Sequence, residues 1–243
     1  MSRLADYRLL CFDVYGTLID WETGLLAALQ PLLTNKGSHD DDTFSRAHLL
    51  AIYQELESEQ QRLTPDMPYP DLLATIHPQL AARLDLPAPS ETDNQRFGES
   101  IGTWPAFPDT VDALHRLSQH FKLVVLSNVD RASFARSNAG SLRGFRFDRI
   151  ITAQDVGSYK PDLRNFEYMK VTVEREFGVK AGEILQTAQS QFHDHRPARE
   201  VGIRSVWIER PGATMGNCST EEAIFDWRFE TLGDMADALT RDE

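Results

Sequence analysis

In the stretch CFDVYGTLID, residues 11–20, an apolar run carries one carboxylate, Asp13, into a glycine turn. Two residues later stands Tyr15, where a second carboxylate would let the site deliver a proton to a leaving group. Thr17 follows on the far side of Gly16. Three other short stretches bring polar residues to the ends of apolar segments: Ser127 and Asn128 in VVLSN, Lys160 in SYKPD, and Gln189, Ser190 and Asp194 in AQSQFHD. In an open α/β sheet, ligands sit beyond the carboxyl ends of the strands, so these residues are the candidates for a site.

The elements that must position them read as follows. YRLLCFDVYG is a buried strand running into a turn; residues 122–130, 147–157, 183–190 and 203–212 read as four more. TVDALHRLSQHF, DLRNFEYMKVTVEREFGV and, more briefly, DHRPAREVGI carry apolar residues at helical spacing. Alternation of strand and helix argues for a parallel sheet covered by helices on both faces. Residues 21–102 interrupt that rhythm with helix signals and proline-bearing connectors, and TWPAFPDT at 103–110 reads as the return to the core. The expected organisation is a core domain of residues 1–20 and 103–243 with a helical cap of residues 21–102 inserted after the first strand.

Bulk properties narrow the function. The chain has 243 residues and a net charge of −12, which disfavours nucleic acid, where phosphate neutralisation needs clustered Lys and Arg. No run of about 18 apolar residues exists to span a membrane. The N-terminus lacks an export-signal pattern, and the two cysteines form neither a disulfide framework nor a metal spacing. A cytoplasmic setting is the expectation, with Cys11 a small core residue. The acidic run HDDDTF, 39–44, reads as a solvated turn capping a helix.

Taken together and in order, FDVYGTLID, LSN, SYKPD and AQSQFHD resemble the haloacid dehalogenase (HAD) superfamily, over residues 9–212. The resemblance implies a Rossmann-like parallel-sheet α/β core with an α-helical cap. Phosphatases of that superfamily carry D-x-D-G-T and hold magnesium partly through a fourth-motif Asp; the 2-haloacid dehalogenases carry D-x-Y-G-T and use no metal. Here Tyr15 replaces the acid and Gln189 stands at the fourth-motif Asp, and a neutral amide is a poor ligand for Mg²⁺. The resemblance therefore implies displacement at carbon without metal or cofactor. Asp13 would attack the carbon bearing a halide and form an ester, which water then hydrolyses. Thr17 would aim Asp13, and Lys160 would keep it ionised and offset the charge of a small carboxylate substrate. Ser127 and Asn128 would donate to the substrate carboxylate or departing halide. Asp194 would hold Lys160 or orient the water. Tyr15, Gln189 and Ser190 would border the substrate, and Arg46 is the nearest candidate for the halide-side arginine of the cap. Cap helices offer dimer surfaces in the resembled enzymes, so a homodimer is one expectation.

Some positions depart from the pattern. Phe166 stands where the dehalogenases have a Tyr, and Gln189 and Gln191 where they have Ser and Asn. His193 and His195 flank Asp194 as a His-x-His pair, but neighbouring carboxylates are scarce and a metal site is not the expectation; His193 would border the site. Trp21 and Trp104 would pack where cap meets core or line an apolar pocket. Two alternatives stay open: a Mg²⁺-dependent phosphatase on small phosphate esters, and a catalytically weak binding protein that keeps the pocket.

Overall fold

Six parallel strands form the sheet in the order β3-β2-β1-β4-β5-β6. The computed structural model describes residues 2–34, 44–216 and 224–241, so all but the last residue of the acidic run 39–44 lies outside the described residues. β1 (Leu9–Phe12) is central and pairs in parallel with β2 (Lys122–Ser127) on one side and β4 (Ile184–Ala188) on the other. β3 (Arg149–Thr152) lies outside β2, and β5 (Arg204–Ile208) and β6 (Trp227–Phe229) lie outside β4. The strand order reverses at β1, and the crevice above a reversal is where a doubly wound sheet binds ligand.

Alternation along β1 explains the apolar run in its sequence. Leu9 and Cys11 point into one core with Phe166, Met169 and Val173, while Leu10 and Phe12 point into the other with Leu114, Leu117 and Met235. A strand covered on both faces has no polar face to display. Helix α5 (Thr110–Leu117) covers one side, and α8 (Leu163–Phe177) covers the other. The core of Leu10 and Phe12 runs on without a break into the helices that follow β1.

Those helices are α1 (Trp21–Leu33), α2 (Arg46–Leu63), α3 (Tyr69–Arg83) and α4 (Glu91–Glu99), all between β1 and β2 in the chain. Asp20 caps α1 by accepting from the Thr23 N–H at 3.1 Å, and Ser90 and Asp93 form a capping box on α4. The chain leaves and re-enters the core side by side. Asp20 N–H donates to Pro105 O at 2.8 Å, Phe107 N–H to Leu18 O at 3.1 Å, and Ile19 bridges Ala106. Gly24 lets α1 rest directly on the buried Trp104 indole: a Cβ there would lie 2.3 Å from the ring.

The chain continues through α6 (Arg131–Ala139), the short α7 (Ala153–Val156) after β3, α9 (Arg196–Glu200) and α10 (Leu232–Arg241). Two readings need correction. Residues 147–157 are extended only over Arg149–Thr152, because Thr152 and Asp155 form a capping box that starts a helical turn. The edge strand β6 and helix α6 carry too short or too mixed a pattern to be read, and α10 is not among the elements expected although Leu232, Met235, Ala236 and Leu239 fall at helical spacing. No helix among the described residues is long and apolar enough to cross a membrane.

Candidate active site

β1 ends at Phe12, which delivers Asp13 to the mouth of the sheet. The chain then turns sharply through Gly16, whose φ of +100° is a left-handed conformation that side-chain-bearing residues rarely adopt. The turn brings Thr17 back onto Asp13, and its Oγ1 donates to Asp13 Oδ2 at 2.7 Å. The same Oγ1 accepts from the Gln189 N–H at 2.9 Å, so the hydroxyl proton is committed to the carboxylate. Thr17 thereby fixes the direction of Asp13.

Lys160 is 2% exposed and reaches in from the loop after α7. Its Nζ lies 2.9 Å from Asp13 Oδ1 and 2.7 Å from Asp194 Oδ1. Burial alone would depress the ammonium, but the two carboxylates outweigh it and hold the pKa above the usual lysine value. Asn128 clasps the Lys160 backbone from both sides: Lys160 N–H donates to Oδ1 at 2.6 Å, and Nδ2 donates to Lys160 O at 2.9 Å. Asp194 is fully buried and also accepts from Gln186 Nε2 at 2.8 Å; burial pushes its carboxyl up to about 7 against the pull of Lys160. Its Oδ2 has no hydrogen-bond partner, and neither does Ser127 Oγ, which is equally secluded.

One pocket gathers Asp13, Tyr15, Ser127, Asn128, Lys160, Gln189, Ser190 and Asp194, eight of the ten expected site residues; Thr17 sits behind Asp13. Several details differ from expectation. Arg46 is not in this pocket. It pairs with Glu22 at 2.7 Å, and Glu22 also accepts from the Thr214 and Met215 N–H groups, so that arginine braces α1 and α2 against the loop after β5. Both polar atoms of Asn128 engage the Lys160 backbone, which makes it a support for that residue, while the second N–H of Nδ2 is not used in that clasp. Ser190 Oγ accepts from the His193 N–H at 3.2 Å, capping the single π-helical turn Gln191–His195 that carries Asp194. Gln189 ties Nε2 to Met215 O at 2.7 Å.

Tyr15 packs edge-on against Trp104, and its hydroxyl meets Ser137 Oγ at 2.9 Å. Burial pushes its phenol well up, so it stays neutral. His195 uses both ring nitrogens, on Ser205 Oγ at 2.8 Å and Ala188 O at 2.9 Å; burial holds it down at about 4. That removes it from any His-x-His metal pair. His193 borders the pocket and is likewise held at about 4 by burial and by Lys160. No cluster of three metal-ligating side chains occurs among the described residues.

Sequence reasoning missed the roof. Gln54, Glu57 and Gln61 of α2 and Tyr69 of α3 line the same pocket, as do Met215 and Gly216. Their spacing of three and four along α2 marks one helical face, a pattern that also describes an ordinary solvated stripe.

The comparisons agree with this architecture. A family model described as haloacid dehalogenase-like hydrolase matches residues 7–185. The (S)-2-haloacid dehalogenase H-109 of Pseudomonas putida is 27% identical over 237 residues, covering 94% of this chain and 96% of that protein. An (S)-2-haloacid dehalogenase of Pseudomonas fluorescens is 28% identical over 201 residues, covering 82% of this chain and 83% of its own. Among solved structures, the L-2-haloacid dehalogenase of Xanthobacter autotrophicus superposes with a TM-score of 0.76 at 17% identity, over 96% of this chain and 98% of that one. The matched span runs from the strand that delivers Asp13 into the strand that precedes Asp194, and the chain belongs to the haloacid dehalogenase-like hydrolases.

Proposed function

We propose that the protein is a metal-independent hydrolase of the 2-haloacid dehalogenase type, with Asp13 as nucleophile and residues 21–102 as the cap over its pocket. The observation that carries this reading is the seating of Lys160 between Asp13 and Asp194, at 2.9 and 2.7 Å. The ammonium offsets the charge of the two carboxylates, which weakens their pull on a divalent cation. The fourth-motif position contributes only the Gln189 amide, and Tyr15 brings a neutral phenol where phosphate chemistry calls for an acid. A halide leaves as a stable anion and needs no proton. Curated relatives acting on (S)-2-haloacids point the same way.

In the first step an Asp13 carboxylate oxygen attacks the carbon bearing the halogen from the side opposite it. The new C–O bond forms as the carbon–halogen bond breaks, and halide departs with the bonding electrons. Thr17 and Lys160 hold the carboxylate in one orientation before attack, so little reorganisation is needed. Ser127 Oγ, buried and unpartnered, offers a hydrogen bond to the substrate carboxylate. In the second step water attacks the ester carbonyl of Asp13. Asp194, with its free Oδ2 and a pKa of about 7, takes the proton. The 2-hydroxy acid leaves, Asp13 is regenerated, and the proton passes to solvent.

The test is chloride release from (S)-2-chloropropionate by chelator-treated protein, with Asp13→Asn alongside. Turnover without metal that is abolished in Asp13→Asn is the expected result. Phosphate release from an aryl phosphate that requires Mg²⁺, with no chloride release, would replace this reading by the phosphatase one.

A further inference from the structure

The floor and the roof of the pocket differ in charge. At the floor, the Lys160 ammonium is bracketed by Asp13 and Asp194, and Ser127 Oγ waits unpartnered. At the roof stands Glu57, with no cation beside it: Lys160 is the only lysine, and there is no arginine, among the described residues lining the pocket. The arginine of α2 that would have supplied a charge, Arg46, is turned to Glu22 instead. Glu57 is held firmly. Its Oε1 accepts from the Tyr69 hydroxyl, from Gln61 Nε2 at 3.3 Å and, more distantly, from the Tyr53 hydroxyl at 3.4 Å. Tyr53 and Tyr69 are joined at 2.7 Å. Oε2 has no partner among the described residues. Burial raises the carboxyl to about 6, which leaves it about nine-tenths ionised at pH 7.

We propose that Glu57 is a specificity-determining subsite that receives a primary ammonium at the far end of the substrate. The inference rests on the dehalogenase reading and names the substrate class within it: a bipolar 2-haloacid, with its carboxylate at Ser127 and its amine at Glu57. A plain alkyl chain would desolvate Glu57 Oε2 and return nothing, which is costly for a carboxylate. An ammonium gives that oxygen a charge-assisted partner. The walls suit a cation as well: Tyr15, Trp21, Tyr69 and Trp104 present aromatic rings to the same space.

The probes are 4-amino-2-chlorobutanoate and 6-amino-2-chlorohexanoate, each against its alkyl isostere, 2-chloropentanoate and 2-chloroheptanoate. Chloride release is measured with wild type and Glu57→Gln, subtracting the background seen with Asp13→Asn, which also captures spontaneous ring closure. The quantity read is the ratio of kcat/KM between amine and isostere within one protein, so a general loss of fold or activity cancels. Wild type should favour the amine by about tenfold or more at one chain length, and Glu57→Gln should bring the ratio towards one. Isosteres turned over as well as both amines by wild type, or an amine preference that survives in Glu57→Gln, would overturn the subsite and leave dehalogenation standing. If Glu57→Gln proves unstable, the wild-type ratio alone decides. Chloride release from none of the four compounds while (S)-2-chloropropionate is turned over would overturn this inference alone; silence with all five would overturn the dehalogenase reading with it.

Discussion

Replacing Lys160 by Met removes the one cation between two buried carboxylates and keeps much of the volume. The Nζ–Oδ1 distances of 2.9 and 2.7 Å correspond to roughly 6 kcal/mol of attraction each at an effective dielectric of about 20. Desolvation of three charges offsets most of that sum, so the net cost is better taken from buried pairs that lose one partner, about 3–5 kcal/mol. Stability should fall by that amount unless Asp194, already raised to about 7, takes up a proton and so limits the loss near neutral pH. The nucleophile loses its orienting charge too, and the same energy applied to the barrier lowers the rate about 10²- to 10⁴-fold. Chloride release and urea unfolding would be followed in parallel. The double variant Lys160→Met/Asp194→Asn isolates the stability effect: removal of the second unpaired charge should restore stability, while turnover stays lost because Asp194 is itself the base. Lys160→Met turning over within about tenfold of wild type, at unchanged stability, would refute the argument.

Asp194→Asn should trap the reaction after its first half, since no base remains to take the proton from water. Intact-protein mass after a quench should show an ester adduct on Asp13, and in wild type the hydrolytic step should quicken as pH rises through about 7; undiminished turnover without adduct would remove Asp194 from that role. His195 has a folded pKa of about 4 against an ordinary 6.5, so the folded state binds fewer protons between those values. Its contribution to stability is complete above pH 6.5 and is lost as pH falls towards 4, by about 2 kcal/mol at pH 5. His195→Gln should flatten the dependence of urea-unfolding free energy on pH in that window, and an unchanged slope would count against the buried neutral imidazole.

The floor of the site was legible in the sequence because each of its residues ends an apolar strand or follows one closely, and strand ends in a doubly wound sheet converge. Asp13, Thr17, Lys160 and Asp194 are assembled by topology alone. Arg46 and Glu57 show where that logic stops. Both lie on one helix, and which of its faces meets the pocket depends on how α2 is rotated against α1 and α3, which local spacing does not determine. Arg46 reads as a site cation and serves as a brace; Glu57 reads as one more charge in QELESEQQ and faces the nucleophile's pocket. The same limit applies to Asn128, whose clasp on the Lys160 backbone no local spacing announces.

The paired crossings at Asp20–Pro105 and Leu18–Phe107 mean that the inserted helices are grafted onto the core at what is spatially one point. Chain length gained or lost between those crossings does not pull on β1 or β2. The stem is closed by its own backbone hydrogen bonds whatever it carries. Inheritance can therefore rewrite the helices residue by residue, or exchange them whole, while Asp13, Thr17 and Lys160 stay in register. In such a molecule the reaction belongs to the core, and the choice of what enters belongs to the graft.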